Sequence, residues 1–230
     1  MPEPKHLIFV NYRGSDEIWA TEYVYARMAE AFGSDAVFKA GNALRPGDKF
    51  SPILQEKAAH CPVMLVCVGQ EWLDARDASG ARRLDSSDDW VREEIRLALR
   101  AGNRVVPLLF GNPGELATPR EADLPEDIRD LFGRQARRIV PGGGLDLTVP
   151  ALVEDLAALV PELGARWAER RKNAAAHEAE QASQSGQSSQ TATPAAGSAP
   201  GSVIFHIGHL AGDAVAHDKN VYHQPGAAGS

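Results

Sequence analysis

The sequence predicts a doubly wound α/β domain built on a five-stranded parallel sheet with helices on both faces. Three observations carry that expectation. "PVMLVCV" (62–68) and "RVVPLLF" (104–110) are unbroken apolar runs of strand length, the kind buried on both faces of a parallel sheet. Amphipathic segments of helical length separate the runs. Polar, Gly- or Pro-containing loops follow the runs: "NYRGSD", "FKAGN", "GQEW" and "FGNPG". In such sheets ligands bind at the carboxyl ends of the strands, so these loops are where a site is expected.

In chain order, "HLIFVN" (6–11) is the first strand. "DEIWATEYVYARMAEAF" (16–32) is a helix, capped by "GSD", with Ile18, Tyr23, Ala26 and Ala29 or Glu30 near helical spacing. "AVF" (36–38) is a brief strand and "KAGNALRPGDK" (39–49) a loop longer than a strand-to-helix link requires. "FSPILQEKAA" (50–59) is a helix, 62–68 the third strand, and "DDWVREEIRLALRA" a helix capped by Ser87, with Asp88 and Asp89 in its first turn. The strand 104–110 follows, then a short helix "LPEDIRDLFG", a weak strand "ARRIV" (136–140), and one closing helix, "TVPALVEDLAALVPELGARW" (148–167).

Composition shifts near residue 170, which divides the chain into a domain (1–168), a low-complexity flexible linker (169–202) and a β-prone tail (203–230). The first third of the linker can extend a helix; the rest, rich in Ser, Gln, Ala, Gly and Pro, buries too little apolar surface to fold alone. The tail carries His206, His209, His217 and His223, whose spacing matches no standard metal site, and its alternating apolar residues suit a small β-arc that needs partners or copies of itself. It resembles the short amyloid-like signalling motifs found beside bacterial immune effectors.

Bulk properties exclude several classes. A formal net charge of −7 with no basic block argues against nucleic acid or an anionic membrane as partner. No apolar run approaches a membrane span or a signal peptide, and the expected location is the cytoplasm. Two cysteines imply neither a disulfide scaffold nor a zinc site, and no metal-ligand set is evident in the domain.

The residue that asks for an explanation is Glu94. With Trp90 as origin and about 100° per residue, Val91, Ile95 and Ala98 form the apolar face, while Arg92, Glu93, Arg96 and Arg100 lie on the solvent face. Glu93 stands three residues before Arg96, where a surface ion pair accounts for it. Glu94 falls on the apolar side, with Trp90, Val91, Leu97 and Ala98 three and four residues away. A carboxylate there marks the polar boundary of the helix, pairs with another segment, or faces a cleft, and burial beside an indole shifts its pKa.

"IFVNYRGSD", "VFKAGNALRPGDKF", "MLVCVGQEWL" and "WVREEIRLALRAGNRVVPLLF", in this order, resemble a bacterial Toll/interleukin-1 receptor (TIR) domain over about residues 5–165. The resemblance implies the flavodoxin-like strand order of that fold. It also implies an NAD+ glycohydrolase with Glu94 as catalytic residue and NAD+ as substrate rather than cofactor. Arg13, Tyr12, Phe38 and Trp90 become substrate-binding residues, with Arg13 answering the diphosphate and Phe38 and Trp90 supplying flat walls. Arg45, Pro46 and Gly47 match the tip of the BB loop, through which such domains self-associate. An upstream immune sensor and a role in antiphage defence are further implications. A non-catalytic adaptor and an enzyme making a cyclic ADP-ribose-type signal are the alternatives. The chain departs from the family pattern at Asn11, where Ser is common, at Gly14, where a second Arg is common, and at Ala40, where an acid is common.

Overall fold

The computed structural model describes residues 6–39, 50–140 and 144–187, without the side chains of 50–53, 146 and 182–187. The BB-loop residues Arg45, Pro46 and Gly47, the linker beyond Gln187 and the tail lie outside the described residues.

Five strands form one parallel sheet: β1 (Ile8–Asn11), β2 (Val37–Lys39), β3 (Val63–Val68), β4 (Arg104–Phe110) and β5 (Arg137–Ile139). Their order is β2-β1-β3-β4-β5, the doubly wound flavodoxin-like order expected. β1 and β3 are buried along their whole length because both faces of the sheet are covered. The chain winds one way from β1 to β2 and the other way from β3 onward. The switch point therefore lies between the carboxyl ends of β1 and β3, where Asn11 and Gly69 stand.

Helices α1 (Ile18–Phe32), α4 (Leu145–Leu159) and α5 (Pro161–Gln187) cover one face of the sheet, packing Val24, Met28, Phe32, Leu152, Leu156 and Leu163 on Ile8, Val10 and Leu65. Helices α2 (Phe50–His60) and α3 (Trp90–Arg100) cover the other, closing Leu54, Ala58, Ile95 and Ala98 over Phe9, Met64 and Val66. Short 3₁₀ segments complete this second face, and the segment expected as a short helix is one of them (Glu126–Leu131), burying Ile128 and Leu131.

Three local expectations are corrected. The buried stripe of α1 is Ala20, Thr21, Val24, Met28 and Phe32, not the set beginning at Ile18, which is half exposed. The α/β core takes one flank of this helix, and its several aromatic residues made another stripe look equally apolar. Second, the closing helix is two helices. Pro161 has no N–H to donate and drives Val160 to an extended conformation (φ −125°, ψ 108°), while its own fixed φ suits the first position of α5. The two pack closely at Gly164, where a Cβ would lie 2.7 Å from the Ala157 carbonyl oxygen. Third, α5 continues through Gln187, well beyond the first third of the polar segment.

Candidate functional site

The site is assembled at the carboxyl end of β1. Alternation along the strand sends Phe9 and Asn11 to the α2/α3 face and Val10 to the other. Asn11 is therefore aimed at the first turn of α3. Its Nδ2 donates to Glu94 Oε2 at 2.6 Å and to the Val91 carbonyl oxygen at 3.2 Å. Glu94 is buried, as its off-pattern place on the helix required, and it is 6 % exposed. Burial pushes its carboxyl up, the nearby Asp89 charge pushes the same way, and the Asn11 donor opposes them; the result is about 8. Glu93, by contrast, lies on the outer side and takes two bonds from Arg96, at 2.7 and 2.5 Å, as the spacing predicted.

The helix cap is Asp89, not Ser87. Asp89 accepts from the Arg92 N–H at 3.0 Å and so closes the first turn of α3. The same carboxylate is gripped by Arg13, whose Nη1 and Nη2 donate at 2.9 and 3.3 Å, and is approached by Arg83 Nε at 3.4 Å. Burial alone would raise this carboxyl, but the bonds from Arg13 and the Arg92 N–H, with the charges of both arginines, outweigh it and hold it below its usual range.

This changes the place of Arg13. The sequence reading set it against a diphosphate; the structure buries it, 1 % exposed, with both terminal nitrogens spent on Asp89. A buried guanidinium needs a paired carboxylate, and the helix cap supplies it. Phe38 is likewise in the core. Its register partner is Phe9, the two rings lie 5.1 Å apart, and His6 meets it edge-on. Tyr12 turns to the opposite face of the sheet, where its ring sits 5.7 Å from the ammonium of Lys39, which is itself buried, paired to Glu22 and 5.1 Å from the Tyr25 ring. Trp90, at the start of α3, is 37 % exposed at the carboxyl edge. Of the expected set, the fold thus brings Glu94, Trp90 and Arg13 to one helix turn, and sends Phe38 and Tyr12 elsewhere.

The next loop is tied to this edge by Asp16. It does not cap α1. Its carboxylate accepts from the Gly69 and Glu71 N–H groups at 2.8 and 3.1 Å, joining the ends of β1 and β3 across the switch point. Its carboxyl is raised, burial outweighing those two bonds. Gly69 is required here, since a Cβ would lie 2.4 Å from Asp16 Oδ1 and 2.3 Å from Glu17 Cγ. The chain then enters α1 through Glu17 in the left-handed region, at φ 49°.

The sequence reading missed Asn11, Asp89 and Asp16 as parts of the site. A polar residue ending an apolar strand was the available signal for Asn11; Glu94 for Asn11, Arg13 for Asp89 and Gly69 for Asp16 are all distant in sequence.

A family model for the TIR domain matches residues 8–140. The chain belongs to the TIR domain family. The match runs from β1 through β5 and stops before α4 and α5. A solved chain from the "Structure of the activated Roq1 resistosome directly recognizing the pathogen effector XopQ (TIR domains)" is similar at 13 % identity and a TM-score of 0.47. The alignment covers 65 % of this TIR chain and 98 % of that one. No protein of curated function matches the chain. Among the described residues no group of three or more His, Cys, Asp or Glu is placed to hold a metal, and no helix is long and apolar enough to cross a membrane. Cys61 and Cys67 are free and buried, their thiols pushed up to about 12 by burial.

Proposed function

We propose that this TIR domain is an NAD+ glycohydrolase with Glu94 as its catalytic carboxylate. The observation that carries the reading is the buried Glu94 carboxyl beside Trp90 at the carboxyl end of the sheet, with its proton affinity raised to about 8. A structural helix has no use for such a group, because an ionisable carboxyl held out of water costs stability.

The chemistry asks little of the protein. Nicotinamide leaves with the electron pair of the C–N glycosidic bond, which neutralises its ring charge. The ribose C1′ left behind is oxocarbenium-like, water adds to it, and a proton is lost, giving ADP-ribose. A carboxylate under the ribose stabilises the developing positive charge and takes hydrogen bonds from the ribose hydroxyls. Only the ionised form does this, so turnover rises with pH through the Glu94 pKa. Trp90 offers a flat wall. With Arg13 committed to Asp89, the half-exposed and loosely held Arg83 is the better candidate for the diphosphate. No cofactor is called for. Activation by self-association through Arg45, Pro46 and Gly47 or through the tail, a cytosolic immune role and an upstream sensor belong to the same proposal.

The commitment of the buried Arg13 to Asp89 favours one alternative, a scaffold that recruits partners without catalysis. The test is nicotinamide release from NAD+ by the full chain, followed by chromatography over rising protein concentration. The enzyme releases nicotinamide, with a rate per molecule that grows as copies assemble. No release from assembled protein leaves the scaffold. Whether ADP-ribose or a cyclic isomer accompanies the nicotinamide distinguishes hydrolysis from signal synthesis.

A further inference from the structure

We propose that Asn11 is the positioning residue of this site, holding one oxygen of the Glu94 carboxylate so that the other is presented to substrate. The inference rests on the reading of Glu94 as the carboxylate under the ribose.

Asn11 ends β1 and is wholly buried. Both of its donor hydrogens are used, one on Glu94 Oε2 and one on the Val91 carbonyl oxygen. The Val91 contact fixes which way the amide points, since the reverse orientation would set two acceptors against each other. A single side chain therefore ties the strand to the first turn of α3 and to the carboxyl three residues further on. Among the described residues no partner takes Glu94 Oε1, which leaves that oxygen for a ligand hydroxyl.

The arrangement is costly as structure. Asn11 Oδ1 is buried and has no hydrogen-bond partner among the described residues, so its desolvation is not repaid. An apolar residue at this strand end would pack without it, as Phe9 does two residues earlier. What Asn11 supplies in return is a donor to a buried carboxyl that would otherwise lack one. The hydroxyl of a serine here would lie one bond nearer the backbone than the Asn11 amide nitrogen, so Asn11→Ser draws the donor back from Glu94.

The electrostatic surroundings leave this role to Asn11. β1 and β3 carry no charged residue over Ile8–Asn11 and Val63–Val68. On α2, Glu56 and His60 are exposed, and Lys57 is half-buried with its charge near Cys61. Asp127, from the 3₁₀ turn beside α3, is paired to Arg92. On α3 itself Asp89 is already held by Arg13 and Arg83.

The experiment follows the Glu94 carboxyl directly, by ¹³C NMR titration of full-length protein labelled at glutamate Cδ, with Glu94→Gln assigning the resonance. It is done on wild type, Asn11→Leu and Asn11→Ser, beside pH–rate profiles for nicotinamide release. Loss of the donor raises the Glu94 midpoint by about one pH unit or more. The acid limb of kcat moves up with it, KM changes less than about threefold, and Asn11→Leu melts no lower than wild type. Glu94 midpoints within about 0.3 unit of wild type in both variants overturn the inference, whether or not NAD+ is cleaved. Should wild type release no nicotinamide while Asn11→Leu still shifts the Glu94 midpoint, the hold on the carboxylate stands and the NAD+ reading falls. Should wild type cleave NAD+ with an acid limb that neither variant moves, the NAD+ reading stands and the role of Asn11 falls.

Discussion

The inner and outer sides of helix α3 present two neighbouring glutamates in opposite conditions. On the outer side Glu93 meets Arg96 in partly exposed surroundings, and the pair forms and breaks at little cost. On the inner side Glu94 is buried with one amide donor and, among the described residues, no cation bonded to it. One residue of separation turns the side chain about 100° and moves the carboxyl from solvent to the switch point of the sheet. At this site the environment chosen by the fold, rather than the residue type, separates a solvated charge from a buried carboxyl that holds its proton.

The comparison extends to the charges that frame Glu94, and there the largest stability effect is expected. Arg13 and Asp89 are both buried, so Arg13→Leu leaves the Asp89 carboxylate with only the more distant Arg83 and the Arg92 N–H and should cost about 3 kcal/mol in urea unfolding. The pair also sets acid behaviour. The Asp89 carboxyl is held below its unfolded value of about 3.8, so its contribution is complete above that pH and lost as pH falls through the folded value. Unfolding of wild type should steepen in that acid window, and Arg13→Leu should flatten it. An Arg13→Leu protein as stable as wild type would mean that the pair is not closed in solution.

Glu94 has the opposite sign. Its folded value of about 8 stands above the unfolded 4.5, so the folded state holds the proton more tightly. Stability is untouched below about pH 4.5, falls as the unfolded chain ionises, and is reduced by at most about 5 kcal/mol at and above pH 8. Glu94→Gln should therefore match wild type at pH 4 and exceed it by at least about 1 kcal/mol at pH 8, in parallel urea titrations. Equal stability at both pH values would place the Glu94 carboxyl in water. The smallest effect belongs to the outer side: Arg96→Ala should cost no more than about 1 kcal/mol, and less in high salt.

Much of this was legible in the sequence, and what was not has physical reasons. β3 is an unbroken apolar run and β4 is apolar after Arg104, so their placement between covered faces followed from composition. Glu94 stood out because it broke a periodic stripe, and Glu93 was explained by a partner three residues away. Asn11 and Glu94 are 83 positions apart, and Arg13 and Asp89 are 76 apart. Nothing local signals such pairings; they arise only when β1 and α3 are brought together over the sheet. The pocket roles of Arg13 and Phe38 are implied by the family resemblance alone, and a residue at a strand end can also close a core, as both do here. The break at Val160 was written in Pro161, but continuous apolar patterning on either side masked it.

The central claim is that one of the two glutamates works and the other does not. Nicotinamide release from NAD+ by assembled Glu94→Gln, Glu93→Gln and wild-type protein, at equal concentration and pH 8, tests it most directly. Glu94→Gln should lose at least about a thousandfold, roughly 4 kcal/mol of transition-state stabilisation, and Glu93→Gln should stay within about twofold of wild type. Full activity in Glu94→Gln, or its loss in Glu93→Gln alone, would contradict it.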